Sequence, residues 1–274
     1  MIARRGALLL AGMSFLLLAA VPLKDDYPRR VGIDVESYRF ELELRDDVDE
    51  VVGRARVTVR FTRDGITELP LDLVGRRSDG TGMTVRGVEA EGRALEFSHD
   101  DDLLTVRLPE ASRTGTTLSV TVGYAGVPAS GLRIGPNKYG DRTFFSDNWP
   151  NRAHNWLPTV DHVAEKATSE FVVTAPAHYQ VVSNGLLQEE TDLGDGTRLT
   201  HWKQSVPISP WLFVLGVAAP TRIMTWSLIA AAAALLGPAV WRIVRAKQHG
   251  PVGVVDPGSV VVRPDFSTAA FDVF

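Results

Sequence analysis

From Asp34 onward, apolar and polar residues alternate with a period of two, and this pattern limits what the chain can fold into. Tyr38, Phe40, Leu42 and Leu44 alternate with Arg39, Glu41, Glu43 and Arg45. Ala55, Val57, Val59 and Phe61 alternate with Arg54, Arg56, Thr58 and Arg60. Successive side chains of a strand point to opposite faces, so each run reads as a strand with one dry and one wet face. The acidic stretch Asp46 to Glu50 suits a turn, and an antiparallel pair is the simple reading. Shorter runs follow at Leu69–Leu73, Met83–Val88, Leu104–Leu108 and Leu118–Tyr124, the third after the turn Asp100-Asp101-Asp102. No segment between Asp34 and Ala218 keeps a 3.6-residue period over three turns. The expectation is an all-β fold, an antiparallel curved, saddle-like sheet or β-sandwich, over residues 34–219.

Two apolar runs flank this region. Gly6 to Leu23, preceded by Arg4 and Arg5, reads as a signal peptide or signal anchor within residues 1–23. Ile223 to Trp241 carries no charge, has Trp226 and Trp241 near its ends and is followed by Arg242, Arg245 and Lys247. It is long enough to cross a bilayer as a helix. The flanking cations place residues 242–274 in the cytoplasm as a tail of unassigned structure, and the β domain on the extracytoplasmic side of the membrane. The competing reading is a buried Ala-rich helix, which Pro238 favours. Net charge is -4, from 29 basic and 33 acidic residues, so nothing electrostatic argues for a nucleic-acid partner. Without cysteine the chain can form neither disulfides nor thiolate metal sites.

Between residues 126 and 166 the texture changes to Gly, Pro, Asn, Asp and aromatic residues, as in a long ordered loop. Strands resume at Thr168–Ala175, Tyr179–Ser183 and Arg198–Lys203, with Asp195-Gly196 as a hairpin turn between the last two. Trp211 to Ala218 reads as a buried strand. In the loop, Arg152 needs a counter-ion, and Asp161 is the partner expected from the sequence. Pro150 and Pro158 stiffen the chain, and Trp149 and Trp156 anchor it on the sheet. Asn184-Gly185 suits a tight turn with positive φ. His154 and His162 lie eight residues apart, which is not a usual ligand spacing, and lone loop histidines mostly face solvent.

The run Phe144-Phe145-Ser146-Asp147-Asn148-Trp149-Pro150-Asn151-Arg152, leading through Trp156-Leu157-Pro158 to Asp161 and Lys166-Ala167, resembles a segment of the aminopeptidase N-type zinc metallopeptidases. Val181-Val182-Ser183-Asn184-Gly185 and Pro207 to Gly216 resemble two later pieces of the same amino-terminal domain, in the same order. The resemblance covers residues 34–218 and implies structural roles for Arg152, Trp156, Pro158, Asp161 and Lys166. It also implies that Asp147 occupies the position of a polar residue, more often Gln, that faces the catalytic cleft and helps hold the substrate's α-amino group. A turn-capping role for Asp147 is the alternative.

The family's catalytic motifs are not in this sequence. Gly-x-Met-Glu-Asn is missing, and none of the six histidines is followed by Glu, so there is no His-Glu-x-x-His. No metal ligand, catalytic residue or cofactor is therefore assigned to this chain, and zinc is expected only in a catalytic domain. The resemblance stops near Ala218, where the family would continue into that domain. Three origins fit: a membrane-tethered single domain, one part of a split enzyme, or an interrupted reading frame. The expected functions follow from these: the substrate-side or scaffold domain of a zinc aminopeptidase, inactive alone and partnered by a catalytic metallopeptidase chain or a peptide, or a membrane-tethered, non-catalytic binding module. A β domain cut from its neighbour should expose an apolar interface patch.

Overall fold

The computed structural model describes residues 29–220. The signal segment, the apolar run 223–241 and the tail lie outside the described residues. Fifteen strands make the fold all-β: β1 (Ile33–Glu43), β2 (Val51–Phe61), β3 (Glu68–Asp72), β4 (Gly82–Ala90), β5 (Arg93–Ala94), β6 (Phe97–Asp100), β7 (Leu103–Arg107), β8 (Thr117–Val127), β9 (Leu132–Pro136), β10 (Arg142–Ser146), β11 (Ala167–Pro176), β12 (Gln180–Ser183), β13 (Leu186–Asp192), β14 (Thr197–Ile208) and β15 (Leu215–Ala218). They form three open sheets, ordered β13-β14-β11-β1-β2-β8-β4-β5, β12-β15-β10-β9 and β3-β7-β6. Among the described residues no helix is long and apolar enough to cross a membrane.

The alternation seen in sequence is the burial pattern. Tyr38, Phe40, Leu42 and Leu44 on one strand, and Ala55, Val57, Val59 and Phe61 on the next, all face inward. Side chains from all three sheets meet in one core cluster: Leu69, Leu71, Leu104 and Val106 from the smallest sheet, and Phe144, Val181, Leu215 and Val217 from the four-stranded one. Burying each such aliphatic or aromatic side chain contributes about 1.5–3 kcal/mol, which holds three separate sheets as one body. The outward side of the large sheet is charged, with Arg54 paired to Glu89, Arg39 to Glu170 and Arg60 to Asp34.

Four sequence expectations need correction. The large sheet is mixed, because β1 runs parallel to β11, from Ser37 opposite Thr168 to Glu43 opposite Thr174. A parallel neighbour requires a long crossover connection, here more than a hundred residues, and no local pattern announces it. The stretch taken as one long loop contains the hairpin β9–β10. Asp195-Gly196 turns β13 into β14 rather than joining the strand at 180–183 to the next. All seven residues of β13 are exposed, so it carries no hydrophobic alternation to read.

The fourth correction concerns Trp211–Ala218. Pro210–Leu212 is a 3-10 turn, and only Leu215–Ala218 pairs as a strand. Side chains take the place of a ladder before it. Asn184 Nδ2 donates to Leu212 O (3.1 Å), Asn148 Nδ2 to Phe213 O (2.7 Å) and Ser183 Oγ to Val214 O (2.6 Å). Leu212 and Val214 consequently stay exposed while Phe213 is buried.

Candidate functional site on the outer face of the four-stranded sheet

Asp147 follows β10 directly, where the strand's alternation still governs side-chain direction. Phe144, Ser146 and Asn148 point inward; Phe145, Asp147 and Trp149 point out. The Asp147 N–H donates to Gly131 O (2.7 Å), which extends the β9–β10 pairing by one bond. Its carboxylate accepts from Arg152 Nη1 through Oδ2 (3.2 Å). Both side chains remain about two-fifths exposed, at 41% and 42%. The counter-ion of Arg152 is therefore Asp147, five residues back in the same turn, and not Asp161.

Asp161 is engaged elsewhere. Its Oδ2 accepts from the His154 backbone N–H (3.1 Å) and lies 2.7 Å from His154 Nδ1. Its own N–H donates to Asp72 Oδ2 (2.9 Å), and Asp72 also pairs with Arg30. Thr159 bridges to Asp72 through both backbone bonds, and the Val160 N–H donates to the buried Tyr38 hydroxyl (2.9 Å). The loop is thus tied to β3 and β1 at several points. His154 is mostly buried and His162 is buried, against the expectation that both face solvent.

Burial pulls the His154 pKa down, but the hydrogen bond and charge of Asp161, with Asp72 and Asp102 behind it, outweigh that and leave it raised. A raised folded pKa means tighter proton binding in the folded state. The associated stabilisation is complete below the unfolded imidazole value of about 6.5 and is lost as pH rises through the higher folded value. Urea unfolding should show a His154→Gln penalty that is larger at about pH 5.5 than at about pH 9, and Asp161→Asn should flatten that difference. An equal penalty at both pH values would contradict the ion-pair reading.

Trp156 is fully buried, and its indole N–H donates to Asn148 Oδ1 (2.9 Å). Pro158 is buried beside it. Trp149 does not anchor on the sheet: it is 60% exposed and packs edge-to-face on Trp211, with ring centroids 4.9 Å apart. Lys166 is exposed just before β11 and makes no ion pair among the described residues. Sequence reasoning missed Asn148, which joins Trp156 to Phe213 O, and Gly131, whose carbonyl positions Asp147. An inward-pointing Asn between two outward residues was the available signal for the first.

Among the described residues no three histidine, aspartate or glutamate side chains gather in a way that would hold a metal ion. His99 Nε2 is bonded to Leu73 O, His154 Nδ1 to Asp161 and His201 Nε2 to Glu170.

The Peptidase M1 N-terminal domain family matches residues 35–212. The chain belongs to that family. Among solved structures, an M1 zinc metallopeptidase from Deinococcus radiodurans superposes with a TM-score of 0.59 at 25% identity, covering 68% of this chain and 42% of that one. A two-domain M1 zinc metallopeptidase variant with bound L-tryptophan gives 0.60 at 25% identity, covering 69% and 43%. A Deinococcus radiodurans M1 variant bound to a Tyr-Ser-Ala substrate gives 0.59 at 26% identity, covering 68% and 42%. This chain therefore matches less than half the length of those M1 structures. Among curated proteins nothing matches the chain.

Proposed function

We propose that this M1 amino-terminal domain forms the substrate-side wall of a zinc aminopeptidase, with zinc and the water-activating glutamate supplied by a catalytic domain. In this reading Asp147 helps hold the substrate's free α-ammonium group. The observation that carries it is the outward, half-exposed carboxylate of Asp147, set between two exposed aromatic residues. A carboxylate–ammonium contact is a charge-assisted hydrogen bond, stronger than a neutral one. Arg152 meets Asp147 through a single 3.2 Å contact. An exposed pair of this kind is worth only about 0–1 kcal/mol, so exchanging the guanidinium for a substrate ammonium costs little.

In the assembled enzyme, Asp147→Ala should lower kcat/KM for aminoacyl substrates by about 10- to 150-fold, the equivalent of about 1.5–3 kcal/mol for a hydrogen bond to a charged group. Asp147→Gln should retain most of the activity, because an amide oxygen still accepts. Unchanged kcat/KM in Asp147→Ala would remove Asp147 from the substrate site and leave it as the counter-ion of Arg152.

A second reading is favoured by the uncharged run Ile223–Trp241 and the cations after it: a membrane-tethered, non-catalytic binding module, held on the extracytoplasmic side. Both readings accommodate the tether. Release of the full chain from membranes by alkaline carbonate would contradict the tether, and retention until detergent is added would support it.

A further inference from the structure

Three arginines point outward along β2, and two of them meet a carboxylate: Arg54 pairs with Glu89 and Arg60 with Asp34. Arg56, exposed between them, makes no ion pair among the described residues. Register sets it directly opposite a second guanidinium, that of Arg39 on β1. Like charges directly opposite on neighbouring strands are destabilising. The carboxylates around the pair are already committed. Glu170 accepts from Arg39 Nη1 (2.6 Å) and Lys203 Nζ (2.9 Å) and lies 3.0 Å from His201 Nε2. Glu41 accepts from Arg39 Nε (3.0 Å). Burial pushes the Glu170 carboxyl up, but the hydrogen bonds from Lys203, Arg39 and His201 outweigh that and leave it lowered. On the far side of Arg56, Glu89 is taken by Arg54, and Glu91 does not pair with Arg56. The charge of Arg56 is left without a counter-ion.

Arg39 and Arg56 line one groove of about 520 Å³ with Lys203. Along it, register aligns a row of hydroxyl side chains across β11, β1, β2 and β8: Thr168, Ser37, Thr58 and Ser119. Thr168 Oγ1 donates to Glu36 O (3.2 Å). Thr58 Oγ1 and Ser119 Oγ lie 2.9 Å apart, a bond that uses one of their two hydrogens and leaves the other free. The Ser37 hydroxyl makes no hydrogen bond among the described residues. A groove of this size is in the range of small-molecule sites. Tyr38, the aromatic residue along it, has its ring in the core, so the groove offers no platform on which a nucleobase could stack. A guanidinium fork matches the oxygens of a carboxylate or a phosphate. A carboxylate spends both its oxygens on the fork, whereas a phosphate group keeps a third for the hydroxyl row. We propose that this groove binds phosphate, free or as the monoester of a small hydroxylated molecule. Arg56 supplies the fork, Arg39 the second positive charge, and Ser37 with Thr58 or Ser119 the hydroxyl donors. The bound anion offsets the repulsion between the two guanidinium groups.

Calorimetric titration of the full chain at fixed ionic strength tests it, with inorganic phosphate, ribose 5-phosphate and glucuronate as probes. The expected result is saturable binding of a phosphate probe that Arg56→Ala weakens by at least about tenfold. Arg54→Ala removes the same charge two residues away on the same strand and should leave the affinity within about twofold, since its partner is Glu89. Tighter binding of ribose 5-phosphate than of inorganic phosphate would identify an ester as the ligand, and equal binding free phosphate. Melting curves give a second readout. Without phosphate, Arg56→Ala should melt at or above the temperature of the unaltered chain, because it relieves the repulsion with Arg39. Added phosphate should raise the melting temperature of the unaltered chain and of Arg54→Ala, but not of Arg56→Ala. Binding of glucuronate alone, phosphate binding unchanged in Arg56→Ala or reduced equally in both variants, or no saturable binding of any probe would overturn the proposal.

Discussion

Replacing Trp156 by alanine should lower the unfolding free energy by about 3–5 kcal/mol, the largest effect expected from any single loop residue. Trp156 is fully buried, lies against Phe171 with ring centroids 6.4 Å apart, and donates its indole N–H to Asn148. Removing it opens a cavity between the loop and β11 and also strips Asn148 Oδ1 of its donor. Asn148 in turn holds Phe213 O, so the damage reaches the segment before β15. A domain's whole stability is about 5–15 kcal/mol, so the loss would be visible in any denaturant titration. Trp156→Phe keeps most of the apolar area and should cost less than half as much. Equal losses in the two variants would mean that the indole hydrogen bond, rather than the buried volume, is what matters.

Gly131→Ala should cost about 2–5 kcal/mol, combining a left-handed backbone penalty of about 1–2 with an overpacking penalty of about 1–3. Gly131 has φ +76°, and a Cβ there would overlap the carbonyl of Arg152 and press on the Trp156 ring. The same residue's carbonyl accepts the Asp147 N–H. Thus the substitution pushes on both members of the Asp147–Arg152 pair at once. The expected signature is a lowered melting temperature together with a shift of the Asp147 and Arg152 resonances. Gly65, also at positive φ but with open space around it, is the matched control and should lose only the backbone share.

The parts of the fold that could be read in the sequence were those with a half-wet face. In β1, β2, β7 and β8 each inward residue is apolar and most outward ones are polar, so the alternation states the answer. β4 was readable only in part, because the bulge between Val85 and Gly87 breaks the period at the point where Met83, Val85 and Val88 lose step. β13 was invisible because both of its faces are exposed, and the β1–β11 parallel pairing because its partners are distant in sequence. The site divided in the same way. Asp147 was found through resemblance, and its outward direction follows from the strand before it. Its partner was misassigned, since nothing local distinguishes two aspartates either side of Arg152. The decisive fact is three-dimensional: His154 and Asp72 already hold Asp161. The exposed apolar residues Phe145 and Val182 come from separated segments and meet only through their common register with Gly216 on β15, which no local pattern shows.

The central claim is that this domain works as one part of a zinc aminopeptidase. The most direct measurement is aminoacyl-fluorophore hydrolysis by the full chain purified under native conditions from its source cell, with zinc content followed in the same fractions. The account predicts activity and zinc that travel together with this chain, that vanish with a chelator, and that persist at reduced kcat/KM in Asp147→Ala. Native fractions in which this chain never travels with a zinc-containing, hydrolytic polypeptide would contradict it.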